Sequence, residues 1–287
     1  MNRNFVTVDV FTERAFGGNP LAVVLDAEGL STAQMQAITR EFGYSETSFV
    51  LPPADPAHTA RVRIFTPAAE IPFAGHPNVG TAFVLARQGA DAETLLFEEA
   101  AGLVPVAIER EAGLPVGAEL TAPQPLARKG SVPAETVARC LGLPASSVLE
   151  AQVLSVGLAF VAARLDGRES LARALPDLAA CRAALPIAGA DGLYLHVHAR
   201  RSPVEIDARM FAPLDGVAED PATGSATAAL MAHLAESEGA SAVTFHQGED
   251  MGRPSLLRGR AVIAEGRVRS VHVGGRCVEM FRGTLEL

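Results

Sequence analysis

The strongest constraint in this chain is a repeat. Residues 63–67 read RIFTP and residues 209–213 read RMFAP, so R-x-F-x-P occurs twice at an offset of 209 − 63 = 146. Further on, Pro72 matches Pro221 and Gly75 matches Gly224, both at an offset of 149, so the second copy holds three extra residues within LDGVAED. Each glycine opens a run of small and apolar residues, HPNVGTAFVLARQG in one copy and SATAALMAHLAESEG in the other. A strand, a loop and a helix repeated at this spacing predict a duplication, with one structural unit in each half.

The flanks support it. STAQMQAITREFG offers Ser31 as a helix N-cap and Gly43 as its stop. The strands ETSFVL and ARVRIF follow. In the second half a helical pattern near PDLAACRAAL precedes LYLHVHA and VEIDARMF. From Ser241 onward the chain reads as strands joined by short turns at AEGR and VGGR, and PQPLARKGSVPAE reads as a linker. The expected domains are residues 1–123 and residues 124–287, the first completed by the last C-terminal strand. Val79, Ala82, Phe83, Val84, Leu85 and Ala86 point nearly all round their helix, and a helix apolar on every side is buried. The fold class is therefore α+β: two pseudo-symmetric halves, each a curved mixed sheet around a central helix.

Composition excludes several functions. Apolar residues make up 48% of 287, enough for a sizeable core, yet no run approaches a membrane span, and no signal-peptide pattern opens the chain. A cytoplasmic protein is expected. A net charge of −9 and the absence of tryptophan speak against nucleic-acid binding. Cys140, Cys181 and Cys277 are widely spaced, without a C-x-x-C, which suits a reduced compartment and no zinc ribbon. Lys129 is the only lysine and sits in ARKGS, which reads as a surface loop. A P-loop is thereby excluded and a Schiff-base enzyme disfavoured. No G-x-G-x-x-G follows a strand, so no nicotinamide site is expected. No metal set is visible; His196 and His198 share a strand face but lack further ligands.

What remains is chemistry at two helix mouths. Thr223, Gly224 and Ser225 begin one buried helix; Gly75, His76, Pro77 and Asn78 begin the other. Free amides and the helix dipole at such ends bind carboxylate or phosphate without lysine or arginine. Asp220 and His76 lie in the matching loops. Glu46, in GYSETSFV, follows a helix stop among Tyr44, Phe49 and Val50, a half-buried setting that raises a carboxyl pKa toward acid–base use. Asp191 lies where the repeat places a partner for Glu46, although Asp-Gly is a turn signal first. GYSET lacks the closing glycine of a nucleophile elbow, so Ser45 is a poor nucleophile.

VDVFTERAFGGNPLAVV, SETSFV, RIFTP with FAGHPNVGTA, EDPATGSATAAL and QGEDMGRPS occur in this order along almost the whole chain. Together they resemble the PhzF-like family, named for a phenazine-biosynthesis isomerase. The resemblance implies a diaminopimelate-epimerase-like fold and a cofactor-free isomerase, usually a homodimer, acting on a small carboxylate-bearing molecule in the cleft between the halves. It implies that Glu46 is the acid/base residue and that His76 and Asp220 bind substrate and assist proton transfer. Gly75, Gly224 and Ser225 would supply donors to the substrate, with Thr223 and Asn78 beside them. Related epimerases use two cysteines at these mouths; here Ala74 and Thr223 stand there. The alternatives are an amino-acid racemase or epimerase with Glu46 facing Asp220, and a non-catalytic small-molecule-binding relative.

Overall fold

The computed structural model describes residues 2–199 and 204–287. Its first half runs β1 (Asn2–Val10), β2 (Asn19–Val24), α1 (Thr32–Phe42), β3 (Glu46–Leu51), β4 (Ala60–Phe65), β5 (Glu70–Ile71), α2 (Gly75–Arg87), β6 (Thr94–Glu99), β7 (Gly102–Glu111) and β8 (Leu114–Thr121). The second runs β9 (Ala127–Ser131), α3 (Ala134–Cys140), β10 (Val148–Ser155), β11 (Ala159–Leu165), α4 (Arg168–Arg173), α5 (Leu178–Ala184), β12 (Gly192–His198), β13 (Glu205–Ala212), β14 (Val217–Asp220), α6 (Gly224–Glu238), β15 (Ala242–Gln247), β16 (Ser255–Ala264) and β17 (Arg267–Glu286).

The two halves repeat one pairing scheme. β2 and β3 are parallel, β3 and β4 antiparallel, β4 and β6 parallel. In the same order β11 and β12 are parallel, β12 and β13 antiparallel, β13 and β15 parallel. In the first half β6–β7, β7–β8, β8–β17, β17–β1 and β1–β2 complete a ring of eight strands. α2 and α6 fill the two sheets, buried along nearly their whole length. The duplication is therefore structural, and the fold is the α+β architecture expected. Ser31 caps α1 through a box completed by Gln34, and Gly43 ends it in the left-handed conformation.

The repeated motif is a scaffold device. Arg63 donates to both oxygens of Glu70, at 2.7 and 2.6 Å, and lies over the Phe65 ring. Arg209 donates to both oxygens of Glu219, each at 2.8 Å, and lies over the Phe211 ring. Glu70 and Glu219 are 149 apart, so both copies use one bidentate pair to pin the short strand that leads to the central helix.

Two local expectations change. VGGR is not a turn: Gly274 and Gly275 lie inside the 20-residue β17. A Cβ on Gly275 would sit 2.5 Å from the Phe11 ring, and one on Gly274 would sit 2.9 Å from Glu119 Cβ. The glycines mark where one strand passes from the second half to the first under close cover, not where it reverses. ARKGS is not a loop but the exposed strand β9, paired with β10. Charge and full exposure hide an edge strand from a hydrophobic pattern.

A methyl group at Gly75 would lie 2.4 Å from Gly224 Cα and 2.5 Å from Ser225 N, both backbone atoms that cannot swing away. Gly75→Ala is expected to cost about 1–3 kcal/mol by overpacking, read as a lowered denaturant midpoint. Gly167→Ala, with open space around it, is the matched control and should stay within about 0.5 kcal/mol.

Candidate active site

The close approach of Gly75 and Gly224 puts the mouths of α2 and α6 against each other at the junction of the halves. Gly75, His76, Thr223, Gly224 and Ser225 are thereby brought together. Both helices point their free first-turn amides and positive dipole ends at this place.

Asp220 ends β14 and is 4% exposed. It accepts from Asn19 Nδ2 at 2.7 Å on one oxygen and from Thr223 Oγ1 at 2.5 Å on the other. Thr223 Oγ1 in turn accepts from Gln247 Nε2 at 2.9 Å, while Gln247 also donates to the Asp220 carbonyl and accepts from Thr223 N. The side chain of Gln247 thus fixes the loop that carries Asp220 into α6.

Asn19, at the start of β2, joins the halves. Its Nδ2 also lies 2.9 Å from the Ala222 carbonyl and 3.2 Å from His76 Nδ1, and its Oδ1 accepts from Ser45 Oγ at 3.0 Å. Reversing the amide would set oxygen against the Asp220 carboxylate, so the network fixes its orientation. An amide nitrogen only donates, so His76 Nδ1 accepts and Nε2 carries the proton. Nε2 stands 3.7 Å from Glu46 Oε2, and neither of these buried atoms has a hydrogen-bond partner.

The surroundings set the charges. Burial lowers His76 to about 3, so its imidazole is neutral; the charged, anion-binding form is disfavoured here. Burial first, and then the Asp220 charge, raise Glu46 to about 8. Burial also raises Asp220, to about 6, against the hydrogen bonds from Thr223, Asn19 and Ser45 that favour its ionised form. Both carboxyls are thus pushed toward their neutral forms, Glu46 the further of the two.

Asn78 is fully buried and donates to the Ala74 carbonyl at 2.9 Å, one turn back on its own helix. The register sets Gly192, not Asp191, opposite the Glu46 position, since Glu46 pairs with Leu21 as Gly192 pairs with Phe160. The Asp191 charge instead raises Asp215, after burial. A cavity of about 250 Å³, lined by Asn19, Tyr44, Ser45, Glu219, Met251 and Arg253, opens between the halves beside this network. Arg253 donates to Asp9 at 2.6 Å and to the Gly17 and Gly18 carbonyls, tying the loop before β2 to the second half. Asn19, Gln247, Asp9 and Arg253 were not singled out by the sequence reading. Their signal lay in GGNP, QGED, VDVF and GRPS, which contribute to the family pattern. Among the described residues no cluster of His, Cys, Asp or Glu is arranged to hold a metal ion, and no helix is long and apolar enough to cross a membrane.

A duplicated sheet-and-helix fold thus sets two buried carboxyls and a neutral histidine at two abutting helix ends. Residues 8–283 match the family model described as phenazine biosynthesis-like protein, PhzC-PhzF. A trans-2,3-dihydro-3-hydroxyanthranilate isomerase of Pseudomonas aeruginosa is 40% identical, with 94% of this chain and 95% of that protein covered. An uncharacterized isomerase of Mesorhizobium japonicum is 36% identical over 99% of this chain and 98% of its own. A solved structure of a predicted epimerase from Pseudomonas aeruginosa superposes with a TM-score of 0.86 at 34% identity, covering 99% of both chains. The chain belongs to the phenazine biosynthesis-like PhzC-PhzF family, and it is an isomerase of the PhzF type.

The raised Glu46 has a thermodynamic consequence. Its folded-state pKa of about 8 lies above the ordinary 4.5, so folding takes up a proton between these values. Stability from this group is present below about pH 4.5 and falls as pH rises toward about 8. Glu46→Gln removes the ionisation penalty. Its melting temperature should exceed that of the parent at pH 8.5, with the gap shrinking toward pH 5; a constant gap would mean that Glu46 titrates normally.

Proposed function

We propose that the enzyme moves a proton between carbon atoms of a small carboxylate-bearing metabolite, without a cofactor, at the junction of the two halves. The observation that carries this reading is the pair of unsatisfied buried atoms, Glu46 Oε2 and His76 Nε2, set beside two helix mouths. The helix ends would hold the substrate carboxylate and stabilise charge that develops during transfer. Glu46 would take and return the carbon-bound proton. Its raised pKa makes its ionised form a stronger base than an ordinary carboxylate. Asp220, ionised and clamped by Asn19 and Thr223, would orient an amino or hydroxyl group; His76, neutral, would donate from Nε2. Gly75, Gly224, Ser225 and Thr223 complete the anion cradle, and Asn78 holds the first turn of α2 in place.

The name of one relative's substrate, trans-2,3-dihydro-3-hydroxyanthranilate, is that of an amino- and hydroxyl-bearing carboxylate, the class proposed here. Racemisation by two opposed bases would need Asp220 to act on carbon, although its oxygens already accept from Asn19 and Thr223. The relatives are named isomerases, which sets the non-catalytic reading aside. The proposal extends to a cytoplasmic homodimer, checked by light scattering on a sizing column, and to a division of the chain near Gln124.

Glu46→Gln keeps the size of the side chain and removes its capacity to accept a proton. Substrate-analogue binding should persist, while solvent deuterium incorporation into the substrate falls by about 10²–10⁴. Unchanged exchange would remove Glu46 from the reaction. Asp220→Asn should weaken binding and turnover together.

The pH profile offers a second test. kcat/KM should rise with pH as Glu46 ionises, reaching its plateau above about 8. In Asp220→Asn the limb should move to lower pH, because a neighbouring negative charge that disfavours ionisation of Glu46 is gone. A profile flat across this range would contradict the assignment.

A further inference from the structure

The far ends of the two central helices differ in a way that the isomerase site does not use. In the first half a cavity beside the C-terminal turns of α2 is walled by Val6, Leu25, Val50 and Leu85, among others. The strand register carries these positions into the second half. Val50 pairs with Val62 and His196 with Ala208, and 208 − 62 = 146, the offset of the repeat. Val6, through Val23 and Ser48, leads in the same way to Gln152, through Ala162 and Tyr194. Leu25, one step beyond the Val24–Phe49 pair, corresponds to Arg164, the neighbour of His196. On α6, 233 − 149 = 84 matches His233 to buried Val84.

Gln, Arg, His and His therefore replace Val, Leu, Val and Val around a cavity of about 190 Å³ beside α6, which Glu150 and Glu238 also line. Such an exchange costs stability unless the polar groups are satisfied. They are not. His196 is 6% exposed, its Nδ1 has no hydrogen-bond partner, and burial holds it neutral. Arg164 Nε is likewise buried without a partner. Glu150 stands directly across the strand pair from Arg164, yet its carboxylate accepts from Gln152 Nε2 at 3.1 Å. Gln152 Nε2 also lies 3.1 Å from His233 Nε2. The cavity thus holds a cationic fork and a buried imidazole together with two carboxylates, with space for more than one water.

We propose that this cavity is a second binding site, for a small zwitterionic amino carboxylate. Its carboxylate meets Arg164 and His196, and its ammonium group faces Glu150 and Glu238. Guanidinium suits a carboxylate through two parallel donors. The acidic groups disfavour a bare anion and favour a ligand that carries its own positive charge.

The test is a titration of the protein, with histidine rings carbon-13 labelled, against glycine and β-alanine. Acetate and ethylamine serve as half-ligands. His196 and His233 report this cavity, and His76 reports the isomerase site separately. The expected result is saturable shifts at His196 and His233 with the amino carboxylates, and at least tenfold weaker binding of acetate and of ethylamine. Arg164→Leu, which restores the residue type of the matching position, should weaken binding at His233 by tenfold or more. No shift at His196 or His233 up to tens of millimolar would overturn the proposal, as would an unchanged affinity in Arg164→Leu. Acetate binding as well as glycine would overturn the zwitterion assignment. If Arg164→Leu fails to fold, the comparison of the four probes on the parent protein still decides.

Discussion

Contact between two glycines sets the geometry of the whole molecule. Gly75 and Gly224 meet so closely that a single methyl group would have no place to go. Because they meet, two buried helices face each other end to end, and two positive dipole ends share one small volume. In a chain with a net charge of −9 and one lysine, those ends concentrate free amides and positive dipole at one place. The contact also places groups from opposite halves within hydrogen-bonding reach, as the bond from Asn19 to Asp220 shows. β17 serves the same end, pairing with β16 in one half and with β1 in the other.

The fold was legible because the features that make it are local or periodic. R-x-F-x-P recurs because each copy seats its arginine against the glutamate of the following short strand, Glu70 or Glu219, and the all-round apolar helices leave no doubt about burial. The candidate site was legible in part. Glu46, His76 and Asp220 stand in short motifs at helix and strand junctions, where a chemical group is conspicuous. Asn19 was not, because an asparagine before a proline at a strand start reads as a turn residue; its partners are 57 and 201 positions away. Gln247 was missed because its role exists only through Thr223 and the Asp220 carbonyl, 24 and 27 positions away. Gly274 and Gly275 misled, because glycine signals both reversal and close approach, and only the packing of Phe11 and Glu119 distinguishes them.

Charge at the centre follows from burial more than from pairing. Burial pushes Glu46, His76 and Asp220 each toward its neutral form, although the Glu46 side chain remains 15% exposed. Asp220 resists most, because Asn19 and Thr223 donate to its carboxylate. Glu46 yields, because its buried Oε2 has no donor and Asp220 repels a second charge. Two carboxyls of similar chemistry are thereby shifted to different extents by their surroundings.

The duplication explains why that asymmetry could arise. Strand order, the central helix and the arginine–glutamate pair are alike in both halves, and losing any of them would cost the architecture. The chemical positions are not alike. Glu46 matches Gly192, since 46 + 146 = 192, and His76 matches Ser225, Ala74 matches Thr223 and Ile71 matches Asp220 at an offset of 149. At each position one half supplies the reactive group and the other a small or apolar residue. A symmetric site with two glutamates or two histidines would crowd like groups at one junction and make their burial costlier. Divergence at four positions on a preserved frame sets two carboxyls and one neutral imidazole at the junction. At the far ends of the same helices, Gln152, Arg164, His196 and His233 of the second half stand where the first half has Val6, Leu25, Val50 and Val84. The arginine–glutamate pairs recur in both halves, while the side chains at the helix mouths differ between them.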